Sequence, residues 1–258
     1  MQGLNLLIMS FVQGIGEILP ISSSINLFFA KKLFDVDFFN FSLKIALHAG
    51  SLIAILLYFG KEVLNIFKAF FVKERRLKES YFWHLVVGTI PVTILGYIGR
   101  DYVVQFNDKQ TMGVLCIFFG IFLYIIDKLS PLKSKKSITI PKAFIVGLFQ
   151  AIAIFPGVSR LGITITACRM VGLDRKKSIF FALLLAIPSI LGSLCLELFK
   201  TSKIIFFSNI AMIGMGITAL ISIVAIIPCI SFMEKKGFFA IMLYRCTIGM
   251  LIFLVVSK

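Results

Sequence analysis

The sequence predicts an all-α integral membrane protein: six transmembrane helices plus two re-entrant broken helices, arranged as two inverted-topology repeats. Three observations carry that prediction. First, the 258 residues are 59% hydrophobic, with a mean hydropathy of +1.00, a composition typical of bilayer-spanning chains. Second, long apolar runs alternate with short, mostly basic connections. Third, two of the apolar runs are interrupted by polar segments containing Gly and Pro, QGIGEILPISSSIN at 13–26 and LFQAIAIFPGVSR at 148–160.

The charge balance fits the same class. Net charge is +15, from 27 Lys and Arg against 12 Asp and Glu. The basic residues sit in loops between apolar runs, so the excess speaks for cytoplasmic loops and against a nucleic-acid partner. The first cationic side chain is Lys31, which makes the N-terminal run a poor signal peptide. The five cysteines are scattered and have no CxxC spacing. They read as small core residues with no disulfide framework or zinc site.

The elements follow in order within a single membrane domain, 1–258. The first repeat, 1–127, opens with a re-entrant element at 3–30. Irregular backbone at mid-bilayer persists only inside protein or beside a wet cavity, and Glu17 at that depth is a functional-site candidate by default. A span at about 41–60 carries Lys44 and His48 one turn apart on one face. His48 has two readings, a helix–helix hydrogen bond or a lining of the cavity around Glu17. The basic stretch 61–81 reads as a solvated loop with an interfacial helix. Spans at about 82–99, with Pro91 as an expected kink, and 111–127 complete the repeat.

A Pro-punctuated basic linker, 128–142, precedes the second repeat, 143–258. That repeat has a re-entrant element at 143–171, a basic turn (Arg169, Arg175, Lys176, Lys177) and spans at about 179–198, 205–231 and 238–256. Gln150 answers Gln13, and Pro156 answers Pro20. Three spans per half is an odd number, so the halves insert in opposite senses. The loops at 61–81, 128–142, 169–178 and 234–237 then share one side and hold most of the Lys and Arg. The positive-inside rule puts that side in the cytoplasm and both termini outside. Inverted repeats whose broken helices meet at the midplane also occur in transporters.

Meeting loops would bring Glu17, Ser22, Ser23 and Ser24 beside Ser159, Arg160 and Thr164. A guanidinium at that depth needs a partner, and its planar fork suits phosphate. The N-termini of the half-helices also favour an anion, and Gly157 permits close backbone approach. The sum is a phosphate cradle beside one carboxylate. Glu17 fits a general base, a ligand for a hard cation, or a structural ion pair with Arg160. The serines fit helix caps equally well.

QGIGEILPISSS resembles the (E/Q)xxxE…PxSS motif, and PGVSRLGIT (156–164) resembles PGxSRSxxT, of the undecaprenyl-diphosphate phosphatases, the bacitracin-resistance membrane proteins. The likeness extends to LHAG around His48, LLAIPSILGS at 184–193 and YRCTIG around Arg245. The resemblance implies hydrolysis of undecaprenyl diphosphate to the monophosphate carrier of cell-wall synthesis, with Mg²⁺ or Ca²⁺ as cofactor. It also implies a multi-pass bacterial plasma-membrane protein with its site open to the periplasm, and a homodimer is an expected assembly. By position it assigns Glu17, Ser23 and Arg160 as catalytic and Glu17 as candidate metal ligand. Ser22, Ser24, Gly157, Ser159 and Thr164 fall to phosphate binding, with Gln13, Asn26 and His48 supporting. At the first motif position Gln13 is the allowed Gln, which removes a possible metal-binding charge; further on, Asn26 stands where the usual motif has His, Ile25 where it has Gly, and Leu161 where it has Ser. Asn cannot carry a proton near neutral pH, so that work would fall to Glu17 or water. A rival expectation is a lipid-phosphate transporter or flippase that uses the same anion site without hydrolysis.

Overall fold

The computed structural model describes residues 2–36, 41–71, 81–99, 108–200 and 208–256. Among these the regular elements are helices: α1 (Gln2–Gly16), α2 (Ser23–Leu33), α3 (Phe41–Tyr58), α4 (Gly60–Phe71), α5 (Phe82–Ile98) and α6 (Lys109–Leu129), then α7 (Ile140–Ala151), α8 (Arg160–Met170), α9 (Arg175–Lys200), α10 (Asn209–Lys236) and α11 (Phe239–Val256). Lys109–Leu129, Arg175–Leu196 and Asn209–Lys236 are long and apolar enough to cross a membrane. The pair Ser42–Tyr58 and Gly60–Ile66, bent by 79°, brings the number to as many as four. Phe82–Ile98, Ile140–Ile154 and Phe239–Leu254 are apolar but shorter. The chain is a multi-pass helical membrane protein.

Both interruptions fall where the polar segments stand. α1 ends at Gly16 and α2 begins at Ser23. α7 tightens into a 3₁₀ turn at Ile152–Ile154, and α8 begins at Arg160. The breaks have a backbone cause: Ser22 takes φ 66° and Gly157 φ 94°, left-handed values that no α-helix continues through. Pro91 lies inside α5, which runs through it as one helix. α4 turns sharply off α3 with Lys61 and Lys68 exposed, as an interfacial helix would. The part of the basic stretch at 72–80 lies outside the described residues, as do 100–107 and 201–207.

The helices approach closely where side chains are smallest. α3 lies against α10, α6 against α11, and α5 against α7. A Cβ on Gly50 would strike the Met215 carbonyl oxygen and come 2.9 Å from Thr218 Cβ. Gly113 and Gly249 face each other, each Cβ position 2.9 Å from the other's carbonyl oxygen, and Gly147 lies on the backbone of Gly88. Lipid offers no hydrophobic drive for helix association, so this backbone-to-backbone packing supplies much of the attraction. The main core gathers Ile18, Ile45, Ile55, Leu161, Ile165 and Leu183 around the two breaks.

Arg169 and Arg175, read from the sequence as part of a basic turn, hold Asp127. Arg169 is 1% exposed; its Nε donates to Asp127 Oδ1 at 3.1 Å, and its Nη1 donates to the carbonyls of Pro131 and Leu173 at 2.8 and 2.7 Å. Arg175 Nη2 donates to Asp127 Oδ2 at 2.6 Å. The reason is that a carboxylate buried at the end of α6 needs cationic partners, and these two are the ones that chain geometry brings to it. Together they lock the start of the linker onto α8 and α9.

Candidate active site

Glu17 follows the last residue of α1, and its amide still donates to the Gln13 carbonyl at 3.0 Å. The final helical turn therefore aims the carboxylate into the break, where it is 8% exposed. Four side chains converge on it. Gln13, one turn earlier and fully buried, donates Nε2 to Oε2 at 2.9 Å. Ser23, the first residue of α2, donates its hydroxyl to the same oxygen at 3.3 Å. Arg160, the first residue of α8, donates Nη2 to Oε1. His48 presents Nε2 at 3.8 Å from Oε2, its ring fixed by the Nδ1–H donated to the Lys44 carbonyl at 2.8 Å. Donors from four different side chains thus surround this buried carboxylate and offset the cost of burying it.

The convergence forms one wall of a cavity of about 680 Å³. Glu17, Ser22, Ser23, Ser24, Ser159, Arg160 and His48 all line it. Its second reading thus describes His48: it faces the Glu17 cavity. Arg160 is anchored on the far side by Nη1 donating to the Ala186 carbonyl at 3.2 Å. The two half-helix N-termini differ. Ser159 accepts from the Gly162 amide at 3.2 Å and closes the end of α8. At α2, Ser22 makes no capping bond and instead pairs with Ser24 at 3.2 Å. The first N–H groups of α2 therefore remain available for an anion.

Four expected site residues lie outside the cavity lining. Gln13 stands behind Glu17. Thr164 is fully buried one turn down α8 and donates to the Arg160 carbonyl at 2.8 Å. Gly157 provides the tight approach to α6, where a Cβ would strike the Met112 carbonyl. Asn26 clamps the loop, its Nδ2 donating to the carbonyls of Ile21 at 3.0 Å and Ser22 at 2.9 Å while its Oδ1 accepts from the Tyr244 hydroxyl. Its hydrogen bonds go to these three groups and none to Glu17.

Arg245 is the residue that local sequence reasoning passed over. It is fully buried in α11 and donates Nη1 to the Pro20 carbonyl and Nη2 to the Gly157 carbonyl, both at 3.2 Å, and Nε to the Cys116 carbonyl at 3.1 Å. One guanidinium thus ties both breaks to each other and to α6. The available signal was an arginine inside an apolar span, which is costly unless it is well partnered.

The sequence model described as "Bacitracin resistance protein BacA" matches residues 6–251. The chain belongs to this family. BacA relatives include a protein named undecaprenyl-diphosphatase from Pelotomaculum thermopropionicum, 34% identical over 95% of this chain and 93% of the relative. Another of that name, from Caldicellulosiruptor bescii, is 34% identical over 92% and 91%. A Bacillus thuringiensis protein named undecaprenyl-diphosphatase 4 is 33% identical over 98% and 96%. The match spans both breaks and Arg245.

Proposed function

We propose that this chain hydrolyses undecaprenyl diphosphate to the monophosphate and phosphate, and so recycles the lipid carrier of cell-wall synthesis and confers bacitracin resistance. The observation that carries this is the meeting of Glu17 and Arg160, from the two broken helices, in one cavity of a BacA-family chain. The names of the relatives favour hydrolysis over transport without turnover.

The chemistry follows from the residues. Arg160 and the open N-terminus of α2 hold the terminal phosphate. The Ser23 hydroxyl, already donating to Glu17, passes its proton to that carboxylate as its oxygen, or a water it orients, attacks the terminal phosphorus. The bond from phosphorus to the bridging oxygen breaks, and the electron pair leaves with the lipid monophosphate. If the serine attacks, a phosphoserine forms and water then cleaves it. Ser22 and Ser24 offer hydroxyls to the same oxygens.

The residues also fit a divalent cation. Among the described residues no three His, Cys, Asp or Glu cluster, but Mg²⁺ sites often use one or two protein oxygens plus substrate phosphates. Glu17 would supply one oxygen, and the buried Gln13 Oε1, without a hydrogen-bond partner among the described residues, would supply a second. Bound there, Mg²⁺ or Ca²⁺ would draw charge from the diphosphate.

The proposal includes a bacterial plasma membrane setting with periplasmic termini, a site open to the periplasm, and two inverted repeats. The helix pairings support the repeats. Exchanging the halves carries the α3–α10 contact onto α9–α5 and α1–α10 onto α7–α5, and it maps α3–α9 and α6–α11 onto themselves. Gln150, the counterpart of Gln13, is likewise fully buried. A homodimer is part of the same expectation. Purified protein with Mg²⁺ or Ca²⁺ should release phosphate from a prenyl diphosphate. Absence of release from a folded preparation would refute the activity.

A further inference from the structure

Beside the polar cavity lies a second one of about 640 Å³, between α4, α5 and α9. Its walls are apolar: Val63 and Ile66 from α4, Val86 and Ile90 from α5, Ile187 and Leu191 from α9. The two threonines on α5 do not alter that character. Thr89 donates its hydroxyl to the Leu85 carbonyl at 2.7 Å and Thr93 to the Thr89 carbonyl at 3.0 Å, so each hydroxyl is already paired along its own helix. Thr93 and Pro188 line both cavities, so the groove abuts the space that holds Arg160 and Glu17 at these two residues. From Phe82 to Thr93 the α5 wall runs about 17 Å at 1.5 Å per residue. It continues from the phosphate cavity toward the α4 end of the helix.

We infer that this groove holds the hydrocarbon tail of the substrate, with its first isoprene units passing the Thr93–Pro188 neck. The inference rests on the proposed function and extends it, because it assigns the residues that recognise the tail. A polar head at Arg160 and an apolar tail along α5 and α9 match the two cavities in order and in chemistry. Two lining residues shared with the phosphate cavity, Thr93 and Pro188, distinguish this groove from the rest of the lipid-facing surface. The α5 wall is exposed, with Ile90 44% and Ile94 51% accessible, so the chain enters sideways from the bilayer. The groove is too short for a C55 chain, and the distal units remain among the lipids. Discrimination is thus set by the first few units.

Two measurements test this on the full-length protein in lipid nanodiscs. The first needs no turnover: a prenyl diphosphate with a diazirine on its third isoprene unit is photolysed and the labelled peptides are mapped. Label on α5 and α9 around Ile90 and Leu191, displaced by unlabelled prenyl diphosphate, is expected. Label confined to other helices overturns the inference, as does label that phospholipid displaces equally well. The second compares a long-chain prenyl diphosphate with a one-unit diphosphate. Thr93→Phe narrows the neck on an exposed face of α5 and should lower the long-to-short ratio of kcat/KM by about tenfold or more. An unchanged ratio, with both substrates affected alike, refutes the tail assignment. If the wild type releases no phosphate from either substrate, the proposed hydrolysis fails, while the labelling result still decides where the tail lies.

Discussion

Glu17 and Arg160 are 143 residues apart in sequence and form an ion pair in the cavity wall. Because Arg160 also donates to the Ala186 carbonyl, its fork is oriented before any substrate arrives. Removing a preorganised donor of this kind costs about 10²–10³ in kcat, and that loss is expected for Arg160→Ala in a phosphate-release assay. Arg160→Lys should recover little, since an ammonium cannot span both partners. Asn26 is expected to act on stability. Asn26→Ala leaves the Ile21 and Ser22 carbonyls without their donor and should lower unfolding free energy by about 1–3 kcal/mol, read as a fall in the denaturation midpoint in detergent. The position differs from the usual family motif, and its side chain holds the Ile21 and Ser22 carbonyls and the Tyr244 hydroxyl.

At the scale of the elements, the breaks decide where chemistry can occur. Gly157 shows the physical requirement: φ is 94° and a Cβ would strike the Met112 carbonyl. Gly157→Ala should cost about 1–2 kcal/mol from backbone strain, with more from the collision. Gly96→Ala, at a position in α5 where a Cβ meets nothing within 4 Å among the described residues, should stabilise by up to about 1 kcal/mol, since Gly is a poor helix former, and thermal unfolding of both variants checks the contrast. The two breaks were legible in the sequence because polar, Gly and Pro residues interrupt otherwise apolar runs. Glu17, Ser23 and Arg160 were legible because ionisable and hydroxyl groups are expensive at that depth. Arg245 stood out only as a costly arginine inside an apolar span, and neither its partners nor those of Asp127 were legible, because they lie far along the chain. Pro20 is 225 residues from Arg245, and nothing near Arg169 in sequence indicates that Asp127 will face it. The capping roles of the serines were also beyond the sequence, since Ser159 caps its helix and Ser22 does not for reasons of local backbone angle.

For the whole molecule, the proposed orientation puts the cavity mouth on the periplasmic side. Cys195 is exposed and lines that cavity, and it serves as a built-in reporter. A membrane-impermeant maleimide added outside intact spheroplasts should label Cys195, and a prenyl diphosphate should slow the labelling. Labelling only after permeabilisation would reverse the orientation. The repeats and the orientation together exist, on this account, to bring two half-helix breaks to one phosphate. The most direct measurement of that claim is divalent-cation-dependent phosphate release from a prenyl diphosphate, comparing wild type with Glu17→Ala. The account predicts release by the wild type and a loss of about 10³-fold or more in the variant, given that Glu17 serves both proton transfer and cation binding. Full activity in a folded Glu17→Ala protein would contradict it.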